Sequence, residues 1–304
     1  MILKIGTRSS PLAMWQALET QKLLELQGFK TEIISIVSEG DLKLKQPIYE
    51  IGITGVFTKA LDIALINNEI DLAVHSLKDV PTQLPHGLHL TACLPRGDHK
   101  DILVFKDKSI LQKEKRIIAT GSLRRKAFWL SEFPQDEVVD LRGNVQLRIQ
   151  KLLDNAWDAA IFAAAGLERS EIISELHDKG LQYMYLENMI SAPSQGIVGV
   201  VTRKDLDLSV ISNENAAKAA SIERSFLRKL QGGCTAPIGG YAEISHEGKV
   251  HFEAAVLNLD GSKKIEITHT GFVEDPIAYG IEMAEKCIAQ GADRLILEVK
   301  KSLQ

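Results

Sequence analysis

The residues Leu3-Lys4-Ile5-Gly6-Thr7-Arg8-Ser9-Ser10-Pro11 contain a short apolar strand, a polar turn and the first turn of a helix. Pro11 suits that helical turn because the first turn has no use for the N–H that proline lacks. Gly28 then marks the end of the helix near Gln27. The same alternation of strand and helix continues through the first two-thirds of the chain. We therefore predict an α/β fold with mostly parallel sheets.

The later segments follow the same pattern up to about residue 212. Strands are predicted at residues 31–37, 71–76, 116–120, 138–141, 159–164 and 197–202, and helices at 57–67, 122–130 and 145–155. Loops are predicted at 38–54 and 78–81, and the strand at 197–202 is expected to return to the first lobe. From Asn213 onward we predict a helix to 230, strands at 241–244, 249–257 and 264–270, and a helix at 276–290.

These segments group into three predicted domains. The domains comprise residues 1–95 with 197–211, residues 98–192, and residues 213–304. The first two are lobes with mostly parallel sheets, and the third is a small α+β domain.

The composition is that of a globular protein, with 45% hydrophobic and 25% charged residues among 304. The formal net charge of −4 argues against a general nucleic-acid binder. Three cysteines without CxxC spacing argue against a disulfide framework or a zinc site and fit a reducing cytosol. Without a signal peptide or a membrane-spanning run, we expect a cytoplasmic protein with no membrane partner. His86 and His89 lack the spacing of metal ligands, so no metal is expected.

Polar side chains follow five of the predicted strands at the point where each strand ends. Ligands of open α/β sheets bind beyond the carboxyl ends of the strands, so we expect these side chains to line one cleft. Arginine binds carboxylate or phosphate through paired hydrogen bonds, and helix N-termini add backbone donors. Any single arginine is better explained by a surface salt bridge, but five equivalent strand ends favour an anion-binding cleft. The side chains are Arg8, Ser10, His75, Ser76, Lys78, Asp79, Thr120, Ser122, Arg124, Arg125, Arg142, Asn144, Arg148 and Arg169.

Asp79 is the one acid among these cations. A carboxylate at this position can stabilise a developing cation or transfer protons. The alternative is that Asp79 only starts a turn ahead of Pro81, which aspartate commonly does. His75 is given a supporting role, because a histidine at a strand end is more often a hydrogen-bonded structural residue.

Cys234 lies in Gly232-Gly233-Cys234-Thr235-Ala236-Pro237-Ile238-Gly239-Gly240, where the glycines reduce backbone crowding around the thiol. Cys93 and Cys287 lie in apolar segments that are typical of buried cysteines. The loop alone slightly favours a small residue in a tight turn over a nucleophile or an attachment point.

Five motifs, taken together, resemble those of the porphobilinogen deaminase family, also called hydroxymethylbilane synthases. Each motif alone is weakly specific, but the set is highly specific and runs from about residue 3 into the C-terminal domain. The motifs are Thr7-Arg8-Ser9-Ser10-Pro11-Leu12-Ala13, His75-Ser76-Leu77-Lys78-Asp79-Val80-Pro81, Gly121-Ser122-Leu123-Arg124-Arg125, Leu141-Arg142-Gly143-Asn144 and Gly232-Gly233-Cys234-Thr235-Ala236-Pro237-Ile238-Gly239.

The resemblance implies two lobes similar to periplasmic binding proteins, joined by two crossing segments, and a third domain that carries the cysteine. It implies a transferase that condenses four porphobilinogen molecules, with loss of ammonia, into hydroxymethylbilane in tetrapyrrole (haem and porphyrin) biosynthesis. A dipyrromethane cofactor would be thioether-linked to Cys234 and would hold the growing chain. The resemblance also suggests a monomer.

By the same resemblance, Asp79 is the catalytic acid that stabilises the cation left by loss of ammonia. The acetate and propionate groups of the pyrroles would be bound by the cations of the cleft. Cofactor contacts are expected from Lys78, Asp79, Ser122, Arg124, Arg125, Arg142, Arg148 and Cys234, and substrate contacts from Arg8, Ser10, Thr120, Arg142, Arg148, Arg169 and Gln195.

The chain also departs from the family pattern. Relatives often have lysine in the loop before residue 57, where this chain has Glu50 and Thr54, so contacts of that loop with substrate are in doubt. The stretch 194–201 lacks a glutamate that is often found near its end.

Two other functions compete with this one. A non-catalytic solute-binding protein would explain the anion cleft, but not Cys234 or the third domain. A cysteine-nucleophile hydrolase would need a basic histidine near Cys234, and nothing in the sequence brings His75 or His246 there.

Overall fold

The computed structural model of the chain describes residues 2–37, 58–232 and 236–303. Its strands are β1 (Ile2–Thr7), β2 (Lys30–Ser35), β3 (Leu72–Ser76), β4 (Leu88–Cys93), β5 (Asp101–Phe105), β6 (Ile117–Ala119), β7 (Glu137–Val139), β8 (Ala159–Ala163), β9 (Gln182–Leu186), β10 (Val198–Arg203), β11 (Ile238–Ile244), β12 (Lys249–Leu257) and β13 (Lys264–Phe272).

The α-helices of the same residues are α1 (Pro11–Leu26), α2 (Lys59–Ile66), α3 (Leu123–Glu132), α4 (Val145–Asp154), α5 (Ala164–Arg169), α6 (Ile172–Glu175), α7 (Glu214–Lys229), α8 (Pro276–Ala289) and α9 (Ala292–Ser302). Short 3-10 turns occur at Leu77–Asp79, Lys108–Gln112 and Ser209–Ile211. In the described part of the chain, none of the helices combines the length and the apolar character that crossing a membrane requires.

Two five-stranded sheets share one arrangement. The first has the order β2-β1-β3-β10-β4 and the second the order β7-β6-β8-β5-β9. In each, the fourth strand is antiparallel to both of its neighbours, and the other four strands run in one direction. These sheets, with a small antiparallel sheet near the C-terminus, confirm the α/β fold class.

The reversed strand in each sheet is the one that the chain enters after leaving the other sheet. Residues 94–100 lead from β4 into β5, and residues 187–197 lead from β9 into β10. We call these two stretches the first and second crossing segments. They meet where Gly97 N–H donates to Gly196 O at 2.9 Å. Gly196 has φ of 86°, and a Cβ there would lie 2.7 Å from Gly97 O, so only glycine suits the crossing.

Apolar side chains cover both faces of the first sheet, as expected for strands buried between helices. On β3, Val74 belongs to the same buried cluster as Leu24 of α1. The adjacent Ala73 belongs to a second cluster with Leu61 of α2. Helices therefore bury both faces and leave the carboxyl edge of the sheet for polar residues.

The third sheet has the order β11-β12-β13 and is antiparallel throughout. Its core joins Phe226 of α7, Phe252 of β12 and Met283 of α8. Two residues of β12, Ala255 and Leu257, instead pack into a cluster of the second lobe. The C-terminal unit is therefore joined to that lobe through apolar contact.

The structure adds elements that the sequence patterns missed, namely β4, β5, β9, α5, α6 and α9. The predicted loop at 78–81 is partly a 3-10 turn. The cysteines that the structure describes, Cys93 and Cys287, are buried free thiols. Cys234 and the predicted loop at 38–54, with Glu50 and Thr54, lie outside the described residues.

Candidate active site

The predicted polar residues at the strand ends include three helix caps. The side chains of Ser10, Ser122 and Asn144 accept from the third residue of α1, α3 and α4, at 3.3, 3.4 and 2.9 Å. Such caps are what serine and asparagine supply before a helix. Thr120 supports the second cap, since its Oγ1 accepts from Ser122 N–H at 3.3 Å.

Arginines from both lobes surround Arg148. Burial and the positive charges of Arg125, Arg142 and Arg8 together lower the pKa of Arg148 to about 10, while Asp79 acts in the opposite direction. Arg148 is fixed by donation from its Nε to Gly143 O at 2.7 Å. Three positive charges and one negative charge thus act on Arg148, so positive charge is in excess here, which is the property of an anion site.

Lys78 belongs to the same group. Burial and the positive charges of Arg125 and Arg124 lower the pKa of Lys78 to about 8, against the opposing charges of Asp79 and Asp101. Its Nζ donates to the side-chain oxygen of Gln195 at 2.9 Å. The lysine is therefore held at the second crossing segment.

Asp79 ends the 3-10 turn Leu77–Asp79 and is half-buried. Its charge acts on both Lys78 and Arg148. Among the residues that the structure describes, no hydrogen bond or ion pair engages its carboxylate. Asp79 therefore combines a cationic surrounding with oxygens that the described protein does not use.

Asp101 was not predicted from the sequence. It is fully buried at the start of β5 and accepts from Arg124 Nη2 at 2.6 Å, Arg125 Nε at 3.0 Å and Gln195 Nε2 at 3.0 Å. Burial alone would raise the pKa of Asp101, but the two arginines and Gln195 outweigh it and lower the pKa to about 2. The sequence feature that could have indicated Asp101 is an acidic residue directly before the apolar residues 102–105.

Arg124 and Arg125 thus form buried ion pairs, and the surface salt bridge considered for them does not apply. Arg124 also donates to Ile190 O at 2.7 Å, and Arg125 to Ile161 O at 3.1 Å. The Nε of Arg124 is buried and forms no hydrogen bond within the described part of the chain. It is an unused donor of the kind that suits a further acceptor.

Arg142 is also buried, and burial lowers its pKa against the opposing charge of Asp140. Its charge reaches Arg148, so the structure brings the two together.

Arg169 and His75 lie differently from the other predicted residues. Arg169 donates to Gly196 O at 2.8 Å and lies 5.0 Å from the ring of Trp15, so it contacts the second crossing segment and α1. His75 is buried, and burial with the charge of Arg8 lowers its pKa to about 4, which keeps the ring neutral at pH 7.

Across residues 2–37, 58–232 and 236–303, no three His, Cys, Asp or Glu side chains are grouped to hold a metal ion.

Family comparison identifies two segments of the chain. Residues 3–210 match the family described as porphobilinogen deaminase, dipyromethane cofactor binding domain. Residues 217–289 match the family described as porphobilinogen deaminase, C-terminal domain.

Curated relatives match over nearly the whole length. The chain is 40% identical to the porphobilinogen deaminase of Chlorobium phaeobacteroides (strain BS1), over 98% of each chain. It is 37% identical to that of Brevibacillus brevis, over 97% of each.

Solved structures that resemble the chain are more distant. The periplasmic VFT2 domain of Bordetella pertussis BvgS matches at 14% identity and a TM-score of 0.42, over 67% of this chain and 82% of that one. The periplasmic sulfonate-binding protein SsuA of Methylobacillus flagellatus matches at 16% identity and a TM-score of 0.39, over 76% and 68%.

Proposed function

The chain belongs to the porphobilinogen deaminase family, and on that premise we propose which of its residues carry out the reaction. It is a transferase of tetrapyrrole biosynthesis that condenses four porphobilinogen molecules into hydroxymethylbilane. Its substrate is a small molecule, and its cofactor is dipyrromethane.

The excess of positive charge around Arg148 is the observation that carries the assignment. Each pyrrole brings an acetate and a propionate, so two linked pyrroles bring four carboxylates to the site. Arginine matches a carboxylate with two parallel hydrogen bonds, and bound anions would relieve the repulsion among the cations. The donor set of the cleft therefore fits the cofactor.

Five cationic side chains and one serine are proposed to hold the cofactor. The dipyrromethane, when bound, supplies the free pyrrole position to which each porphobilinogen unit is added. Its carboxylates would be bound by Lys78, Arg124, Arg125, Arg142 and Arg148, with Ser122 at the start of α3 and the unused Nε of Arg124 as a further donor. Arg8, Ser10, Thr120, Arg142, Arg148, Arg169 and Gln195 are proposed to bind substrate.

Asp79 is proposed as the catalytic acid. When porphobilinogen loses ammonia, the positive charge that remains is delocalised into the pyrrole ring and its N–H. A carboxylate next to that ring stabilises the cation and accepts the N–H hydrogen bond. Asp79 has oxygens available for this role. The surrounding cations bind the substrate carboxylates and so keep the ring in position for proton transfer.

Cys234 is proposed as the covalent attachment point of the cofactor. It falls between α7 and β11, and both neighbouring elements approach the second crossing segment. In β11, Gly240 N–H donates to Ser191 O at 2.9 Å, and one residue earlier Ile190 O accepts from Arg124. The strand that follows Cys234 therefore contacts the same segment whose carbonyl binds Arg124, which supports placing the cofactor near these cations.

Intact-mass measurement of the purified protein tests this assignment. We expect an adduct of two pyrrole units on Cys234, which disappears in Cys234→Ala and persists in the control Cys287→Ser. An unmodified protein with full activity would overturn the proposal.

We also infer a monomer of three domains that works in the cytoplasm. The domain bounds are those given from the sequence, with residues 197–211 assigned to the first lobe. The buried free thiols of Cys93 and Cys287 support a reducing compartment. Light scattering coupled to gel filtration tests the monomer, and a dimer mass would contradict it.

A further inference from the structure

The backbone around Asp79 is held by a side chain of the third domain. Arg224 of α7 donates from Nη1 to Val80 O at 2.9 Å and to Leu77 O at 3.5 Å, and from Nη2 to Pro81 O at 2.6 Å. These three carbonyls bracket Lys78 and Asp79. One guanidinium thus fixes the backbone on both sides of the proposed catalytic acid.

The turn itself has few bonds of its own. Leu77–Asp79 is a single 3-10 turn, closed by Val80 N–H to Leu77 O at 3.1 Å, and such short turns are weak alone. Leu77 N–H also donates to Ile197 O at 2.9 Å. The side chains of Leu77 and Val80 pack in one buried cluster with Ala216 and Ala220 of α7. Most of its support therefore comes from α7 and the crossing segment.

The preceding residue of α7 holds the crossing segment. Glu223 is fully buried and accepts from Ser194 N–H at 2.5 Å, from Ala242 N–H at 2.7 Å and from Arg96 Nη2 at 2.7 Å. Ser194 directly precedes Gln195, whose amide binds both Lys78 and Asp101. Two adjacent residues of one helix thus hold the two backbone segments that deliver Asp79 and Gln195.

We propose that Arg224 is a positioning residue for the reaction, which fixes the Leu77–Pro81 backbone so that the Asp79 carboxylate faces the reacting pyrrole. This rests on the proposed role of Asp79. Because a misplacement of about 1 Å can lower a rate 100-fold, losing three backbone bonds at this turn acts on turnover more than on binding.

The first test compares Arg224→Ala with Arg224→Lys and with the control Arg228→Ala. Arg228 lies one turn further along α7 and is exposed, and its side chain makes no hydrogen bond with the described residues. We expect Arg224→Ala to lower kcat about 10- to 100-fold with KM within about twofold. Arg224→Lys should recover part of the loss, since its ammonium can still donate, and Arg228→Ala should match wild type.

A double-mutant cycle then asks whether Arg224 acts through Asp79. In an Asp79→Asn background, Arg224→Ala should lower turnover by less than about threefold, because the group it positions is already lost. Hydrogen exchange should also accelerate at the amides of Leu77 and Val80 in Arg224→Ala.

Three results would overturn the proposal. The first is a kcat of Arg224→Ala equal to that of wild type. The second is a fall in turnover from Arg224→Ala that is as large in the Asp79→Asn background as in wild type. The third is unchanged hydrogen exchange at the amides of Leu77 and Val80. A kcat loss that only follows the fraction of unfolded protein would do so as well. The proposed function fails separately, through near-normal turnover of Asp79→Asn or absence of the adduct on Cys234.

Discussion

The Asp101 carboxylate accepts a hydrogen bond of 3.0 Å from the side-chain amide of Gln195, and the oxygen of that amide accepts from Lys78 at 2.9 Å. Asp101 begins β5 of the second lobe, Lys78 follows β3 of the first, and Gln195 lies on the segment between them. A three-residue chain of hydrogen bonds therefore links the lobes directly beside Asp79. Its anionic end also neutralises two arginines.

Asp101→Asn is expected to be strongly destabilising. It removes the buried charge that compensates Arg124 and Arg125, and loss of one partner of a buried ion pair costs about 3–5 kcal/mol. Urea unfolding measures the change in the free energy of unfolding. The control is Glu175→Gln, which breaks the exposed pair with Lys179 and should leave stability nearly unchanged.

Acid titration of stability gives an independent check on Asp101. Its pKa falls from 3.8 to about 2 on folding, so the stabilisation it provides is complete above pH 3.8 and is lost as the pH falls towards 2. Unfolding free energies measured between pH 5 and 2 should fall in this window. The unfolding free energy of Asp101→Asn should fall less steeply with decreasing pH. An equally steep fall would show that other carboxylates cause the pH dependence.

Asp79→Asn should bind porphobilinogen nearly as well as wild type and lose most turnover. The amide keeps the shape but not the charge that stabilises the cation left by ammonia loss. A fall of about 100-fold in kcat is expected from removal of one preorganised electrostatic group. Single-turnover kinetics measure it, and near-normal turnover would remove Asp79 from the chemistry.

The sequence anticipated the cationic cleft but not the acid that organises it. Polar residues after apolar strands are visible in a linear pattern, so Arg125, Arg142 and Arg148 could be grouped by their strand ends. Asp101 could not, because its partners lie 23 and 24 residues away on α3, and only the reversed direction of β5 brings them together. Arg224 was missed for the same reason, since it acts through carbonyls of a distant turn.

Arg142→Leu should block attachment of the cofactor or growth of the chain. Leucine keeps the apolar part of this buried side chain and removes the charge that would bind a carboxylate. Intact-mass spectra are expected to show unmodified protein or an arrest at a short adduct. Wild-type chain growth would assign Arg142 to a purely structural contact.

Binding of porphobilinogen to Cys234→Ala, which has no attachment point, should weaken as the pH rises from 7 to 9. With its pKa lowered to about 8, Lys78 is charged at pH 7 and loses its proton across this range, and with it the attraction for carboxylates. Calorimetry measures the affinity. Lys78→Met on the same background should bind weakly at both pH values, and a persistent pH dependence would implicate another group.

The reversed strands also predict an order of assembly on the ribosome. In the described structure β4 pairs only with β10, so the first sheet stays incomplete until residue 203 has been synthesised. The second sheet draws all its strands from the continuous stretch Asp101 to Leu186. Domains usually fold in the order in which they are made, but here the later lobe can close before the earlier one. We therefore expect the first lobe to close only after β10, which is translated about a hundred residues after β4, has been synthesised.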